Sequence, residues 1–148
     1  MSSQKIKKFA DYHVGDTASL TKVITKELVY AFAELIGDYN PVHVNEEFAR
    51  TTMFKKNIAH GVYSNGMISA VIGMKLIGPG ALYLDQYVKY LKPVFIGDTM
   101  RVTATILEKV VKERPGKPSM NTLILQTDVF NQDNVKVTEG KATVMILE

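Results

Sequence analysis

The sequence contains no cysteine. That absence removes disulfides, thiolate metal sites and cysteine nucleophiles together, and it fits a reducing compartment, so the expected location is the cytoplasm. Long apolar runs are missing too. The longest, Gly61 to Ile77, is broken by Ser64, Asn65, Ser69 and Lys75, so no membrane span is expected. The opening residues, MSSQKIKKFADYHVGD, carry lysines with no apolar run behind them, which speaks against a secretory signal. Charge of one sign is scarce: 18 Lys and Arg against 15 Asp and Glu leave a formal +3. The basic residues are scattered, with no stripe of Arg and aromatics, so no nucleic-acid partner is expected. So small a surplus suits a polyanionic small ligand, and equally a solvated surface that happens to be basic.

What is present suits one domain spanning residues 1–148. At 46% hydrophobic and 22% charged, a chain of 148 residues can bury a single core. Thr17 to Lys26 reads as a first strand, with Leu20, Val23, Ile24 and Thr25. The period then changes: Leu28, Ala31, Phe32 and Leu35 recur at helical spacing within Glu27 to Ile36, and Gly37 stops the run. A tight polar segment, Asp38-Tyr39-Asn40-Pro41-Val42-His43, precedes a short helix from Glu46 to about Met53 that Asn45 is placed to cap. Gly61 to Ile77 is the one long helix, apolar on most sides and therefore expected to be buried. Gly66 and Gly73, seven apart, suggest that a neighbouring backbone approaches it closely. Everything after Gly78-Pro79-Gly80 looks like sheet. Strands are expected at Ala81 to Leu91, Thr99 to Val111, Thr122 to Phe130 and Val135 to Leu147. Pro115 to Pro118 forms a loop, and a bulge is expected at Gly140, where the apolar parity changes. Antiparallel strands around a buried helix make an α+β arrangement.

The residues that carry chemistry are few. Pro41 keeps its segment from being a helix interior and biases Asn40 away from helical dihedrals. A compact turn there can bring the Asp38 carboxylate and the His43 imidazole to one point, which is the make-up of a general acid–base pair. The alternative is that Asp38 and Asn40 are ordinary turn residues and His43 a surface residue ahead of a helix. Ala59-His60-Gly61 opens the long helix, where free backbone amides and the positive end of the dipole meet. A ligand oxygen can approach Gly61 unobstructed, or the glycine can merely permit tight helix entry. Ser69, two turns on, can order a ligand or bond back to its own helix. Tyr39, Tyr63, Met67 and Leu84 are candidates for lining an acyl pocket, and equally for the core.

Taken together, GDYNPVH, HGVYSNGMIS and YLKPVFIGDT resemble the (R)-specific enoyl-CoA hydratases, also called MaoC-like dehydratases, whose hallmark is Asp-x-Asn-Pro-x-His. The resemblance runs from about Thr17 to the C-terminus. It implies a hot-dog fold, an antiparallel sheet wrapped round a long central helix, with protomers pairing into a homodimer or larger homo-oligomer. It implies that Asp38 and His43 activate a water, that Asn40 supports them, that the amide of Gly61, next to His60, receives the thioester oxygen, and that Ser69 orients water or ligand. The substrate implied is an acyl-CoA thioester. No metal or redox cofactor is implied, and the composition agrees: His13, His43 and His60 are the only imidazoles and no His-x-x-x-His pair occurs. Two other hot-dog activities stay open, an acyl-carrier-protein-linked dehydratase and an acyl-CoA thioesterase. Lys89, Lys92 and the Lys112 to Lys117 loop are the candidates for the nucleotide end of the thioester.

Overall fold

The computed structural model describes residues 5–148. After a 3-10 turn at Phe9–Asp11 come β1 (Thr17–Val23), α1 (Lys26–Ile36), α2 (Pro41–Val44), α3 (Glu46–Thr51) and α4 (Gly61–Val71), then β2 (Ala81–Tyr90), β3 (Thr99–Arg114), β4 (Lys117–Phe130) and β5 (Lys136–Ile146). The strands form one antiparallel sheet in the order β1-β3-β4-β5-β2. Alternation decides which face is inward. Met100, Val102, Ala104 and Ile106 of β3 are buried as a set, and Met67, Ile68, Val71 and Ile72 lie against that face. Each such side chain contributes about 1.5–3 kcal/mol on burial. Truncating Ile68, which has no exposed surface, to alanine would cost about 2–5 kcal/mol.

Local chemistry sets the ends of the helices. The Thr25 hydroxyl accepts from the Leu28 amide at 3.1 Å to start α1, and Gly37, at φ 78°, ends it in a left-handed turn. Asn45 caps α3 by accepting from Phe48 N at 3.0 Å. Pro41 stands at the first position of α2, where a missing amide hydrogen costs nothing. His43 therefore lies on a one-turn helix rather than in an irregular turn. The long helix is shorter than its apolar pattern suggests. Regular α geometry ends at Val71, and Ile72–Leu76 continues as a π-helical turn closed by Ile77 N donating to Ile72 O at 2.9 Å.

Three expectations change. Among the described residues, Gly66 and Gly73 meet no close neighbour; a Cβ at either would point into open space. The β3–β4 hairpin is longer than its apolar residues indicate. Lys117, Met120 and Asn121 also pair with β3, and the turn narrows to Pro115-Gly116 with Gly116 at φ 72°. The bulge in β5 lies at Val137, not Gly140: Val129 faces Thr138 and Phe130 faces Lys136, so Val137 is the extra residue. Gly140 keeps regular pairing and is glycine for another reason, since a Cβ there would stand 2.2 Å from the Tyr87 carbonyl oxygen. Among the described residues, no helix is long and apolar enough to cross a membrane.

Candidate active site

The segment between α1 and α3 folds on its own side chains before it touches anything else. The Asp38 carboxylate accepts from Asn40 N at 3.1 Å, and the Asn40 side-chain oxygen accepts from Val42 N at 3.2 Å, starting α2. Asn40 is thus the cap that presents His43. A second strap comes from Asn57. Its amide donates to the carbonyls of Val42 at 2.9 Å, Asn45 at 3.2 Å and Pro41 at 3.5 Å, while the backbone of Ile58 donates to Val42 O. Asn57 is 5% exposed. It is a functional support that the sequence reading missed, because nothing around KKNIAHG marks an asparagine whose partners lie a dozen residues upstream.

The imidazole of His43 is oriented by its own hydrogen bond. Nδ1 lies 2.7 Å from the Ile58 carbonyl oxygen, which can only accept, so Nδ1 carries the hydrogen. In the neutral ring Nε2 is then left as a base. Burial holds the His43 pKa below its usual 6.5. The Ile58 bond opposes that shift, the charge of His60 reinforces it, and the Asp38 carboxylate opposes it. His43 is accordingly neutral at physiological pH, the state a general base requires.

His60 forms the shelf behind this pair. Its ring stacks on His43 with centroids 3.9 Å apart, and Phe32 meets its other side edge-on at 5.2 Å. Nε2 donates to the Asp38 backbone carbonyl at 2.9 Å, and Nδ1 is buried without a partner among the described residues. Donor atoms of Asp38, His43 and His60 all lie within 4.8 Å of one another. Each imidazole spends one nitrogen on a backbone carbonyl, and the rings face each other instead of converging edge-on. This donor set suits acid–base work better than coordination.

Gly61 begins α4 immediately after His60. Among the described residues no side chain caps this helix, so the amide of Gly61 keeps its hydrogen for a ligand at the positive end of the dipole. The glycine keeps the approach open: a Cβ would stand 3.2 Å from the ring of Tyr90, which would have to yield by a few tenths of an ångström, and whose hydroxyl donates to the Asn65 side chain at 3.0 Å. His43, His60 and Gly61 all open onto one cavity of about 310 Å³, walled also by Phe54, Ile58 and the Tyr90–Val94 segment. The structure thus gathers Asp38, Asn40, His43, His60 and Gly61. It does not bring Ser69 to them. That residue is exposed and, with Asn65, Tyr83 and Gln86, lines a separate depression of about 260 Å³. Tyr39, Tyr63, Met67 and Leu84 do not line the cavity either; Met67 belongs to the core. Of the expected nucleotide-binding lysines, only Lys92 borders it, while Lys89 pairs across to Glu139 and Lys112 to Lys117 form the far hairpin end.

The profile of the family described as "MaoC like domain" matches residues 12–140. The chain belongs to that family. It is 45% identical to an (R)-specific enoyl-CoA hydratase of Rhodospirillum rubrum over 138 residues, covering 93% of this chain and 90% of the relative. It is 45% identical to a 3-hydroxybutyryl-CoA dehydratase of Methylorubrum extorquens over 106 residues, 72% of this chain and 68% of that one. The solved structure of unliganded R-hydratase PhaJ1 from Pseudomonas aeruginosa superimposes with a TM-score of 0.85 at 39% identity, covering 95% of this chain and 85% of that one. The sheet and helix described above are therefore the hot-dog fold of a MaoC-like protein, as the resemblance implied.

Proposed function

We propose that this MaoC-like chain, acting as one domain, catalyses the (R)-specific hydration of trans-2-enoyl-CoA to (3R)-3-hydroxyacyl-CoA and the reverse dehydration. One observation carries the reading: His43, which has an Asp38 carboxylate oxygen within 4.8 Å of its ring, lines the same cavity as Gly61, whose amide has no side-chain cap among the described residues. In the hydration direction, water held between Asp38 and His43 attacks the β-carbon and gives up a proton to the pair. The electrons move toward the thioester oxygen, where the Gly61 N–H stabilises the developing enolate. The α-carbon then takes a proton from the same pair, and the enzyme returns to its starting charge. Nε2 is the exchanging atom of His43, because Nδ1 is held by Ile58. Loss of enoyl absorbance from crotonyl-CoA without release of free CoA tests the proposal. Release of CoA would indicate a thioesterase, and activity confined to carrier-protein thioesters would indicate the carrier-linked dehydratase.

The same proposal includes a homodimer. Among the described residues the outer edge of β2 has no partner strand, and Leu82, Leu84 and Tyr87 are exposed along it, as are Val62 and Gly66 on α4. A free strand edge and an apolar flank are what a second copy would cover. Sedimentation at micromolar concentration checks this, and a species that stays monomeric refutes it. A cytoplasmic site of action, supported by the cysteine-free composition, is checked by cell fractionation; recovery in an extracellular or membrane fraction refutes it.

A further inference from the structure

We infer that Tyr90 is a positioning residue for the reaction: its ring, pinned by Asn65, is laid against Gly61 and holds that residue's amide in line for the thioester oxygen. This deepens the reading of the cavity as an enoyl-thioester site and rests on it. Tyr90 and Gly61 line the same cavity. Three ring carbons of Tyr90, Cε1, Cε2 and Cζ, all stand 3.2 Å from the place a Cβ on Gly61 would occupy. A point equidistant from three atoms of a six-membered ring lies on the axis through the ring's centre. The tyrosine therefore presents its face to Gly61 and fills the space of the side chain that residue 61 lacks.

The ring is held at both ends. At its base, Tyr90 is the last residue of β2 and pairs with Thr138, and the next two amides, Leu91 N and Lys92 N, donate to the carbonyl of Val137 at 2.8 and 3.2 Å. Val137 is the bulge residue of β5, so the extra residue anchors the backbone from which the ring projects. At its tip, the hydroxyl donates to Asn65 Oδ1 at 3.0 Å. Asn65 lies four residues beyond Gly61, on the same face of α4 and about 6 Å further along the axis. Burial raises the Tyr90 pKa above 10 while the Asn65 bond opposes the shift, so the hydroxyl keeps its proton and stays a donor at working pH.

Gly61 needs such a restraint. Glycine has the freest backbone of any residue, and among the described residues no side chain caps the turn it begins. An amide that must meet a developing oxyanion works only if it is aimed before the reaction starts. The usual sources of aim, a bulky side chain and a cap, are both missing here, and the Tyr90 face with its Asn65 pin replaces them. The pin is what keeps the ring in place, because Tyr90 is 46% exposed and a ring without its hydroxyl bond is free to turn toward solvent. A single net hydrogen bond of this kind favours the pinned arrangement by about threefold to tenfold, which bounds the effect on the reaction.

The test is hydration of crotonyl-CoA by the wild type, Tyr90→Phe, Asn65→Ala and the double variant, with a melting curve for each. Each single variant should lose about threefold to tenfold in kcat/KM, and the double variant no more than the larger single loss, because both remove one bond. Two competitive inhibitors separate aiming from wall-building: butyryl-CoA, which has the thioester carbonyl, and S-butyl-CoA, a thioether with a methylene in its place. Butyryl-CoA should bind about threefold or more weaker to the variants, and S-butyl-CoA should change by less than about twofold. Phenylalanine keeps the ring and alanine favours a helix, so Asn65→Ala reads the same bond should Tyr90→Phe not fold. Unchanged kcat/KM in a folded variant, losses that multiply in the double variant, or equal weakening of the two inhibitors overturns the role of Tyr90 while leaving the hydratase reading intact. A wild type that does not hydrate crotonyl-CoA overturns the hydratase reading itself, and the role of Tyr90 with it.

Discussion

Replacing Asp38 by asparagine separates chemistry from architecture at a single atom. The Asp38 oxygen that accepts from Asn40 N at 3.1 Å is retained by an asparagine side chain, and the backbone carbonyl that accepts from His60 at 2.9 Å is untouched. The residue is exposed, so the folded state should lose no more than about 0.5 kcal/mol. The basic carboxylate next to His43 disappears. A general base contributes about 10² to 10⁴ in rate, which is on the order of 3–5 kcal/mol of barrier. The same substitution should therefore cost several times more energy in the transition state than in the fold. Turnover should fall while KM moves little, because the acyl group and the nucleotide are held elsewhere. Hydration of crotonyl-CoA and thermal unfolding, measured on one preparation, give both numbers. A folded variant that keeps more than about a tenth of wild-type turnover, less loss than the smallest expected of a general base, refutes the mechanism.

Three further outcomes are expected. The pKa of His43 is depressed below 6.5, chiefly by burial, so the acid limb of kcat/KM against pH should lie below 6.5. The unfolded chain binds the His43 proton more readily, so this residue's contribution to stability is complete above 6.5 and declines as pH falls through the depressed value; an acid limb above 6.5 contradicts this assignment. Asn57→Ala leaves the Pro41, Val42 and Asn45 carbonyls without their shared donor and should cost about 1–3 kcal/mol in urea unfolding, with turnover falling as well; a loss under about 0.5 kcal/mol would show the strap to be dispensable. Gly61→Pro removes the amide hydrogen and adds the same Cβ as alanine, at a position where proline suits a helix, and the extended His60 backbone at ψ 131° tolerates it. Turnover should drop by about 10² to 10³. Gly61→Ala, which keeps the hydrogen and adds a Cβ against Tyr90, is the control, and equal losses in the two would mean crowding alone is responsible.

The parts of the site that were legible in the sequence are those built within one short segment. Asp38, Asn40, Pro41 and His43 lie within one short segment, so turn chemistry allows their convergence and the resemblance selects it over ordinary turn residues; Gly37 and Asn45 mark helix ends by local chemistry too. The invisible parts join distant segments. Asn57 reaches back to α2, and Thr138 lines the same cavity as Ser64 only because the sheet brings β5 there. The bulge was anticipated from a true change of parity but assigned to the nearest glycine. Alternation could not reveal that Gly140 is small to admit the Tyr87 carbonyl while Val137 is the extra residue. The spacing of Gly66 and Gly73 suggests close-approach points, and among the described residues nothing approaches either. Ser69, whose role came from the resemblance alone, stands away from the Asp38–His43 cavity within one chain.

The strap made by Asn57 has a consequence for transplanting this chemistry. The hexapeptide from Asp38 to His43 looks like a portable unit, since its carboxylate, cap and imidazole are contiguous. Its imidazole, however, takes its tautomer from the carbonyl of Ile58, and its helix is moored by the amide of Asn57, both on a strand of chain that leads directly into Gly61. Base, mooring and oxyanion donor are therefore one continuous mechanical assembly. Grafting the hexapeptide alone onto another scaffold would deliver a histidine free to rotate, with either nitrogen protonated. A graft that carries residues 57–61 in register would bring the histidine already aimed.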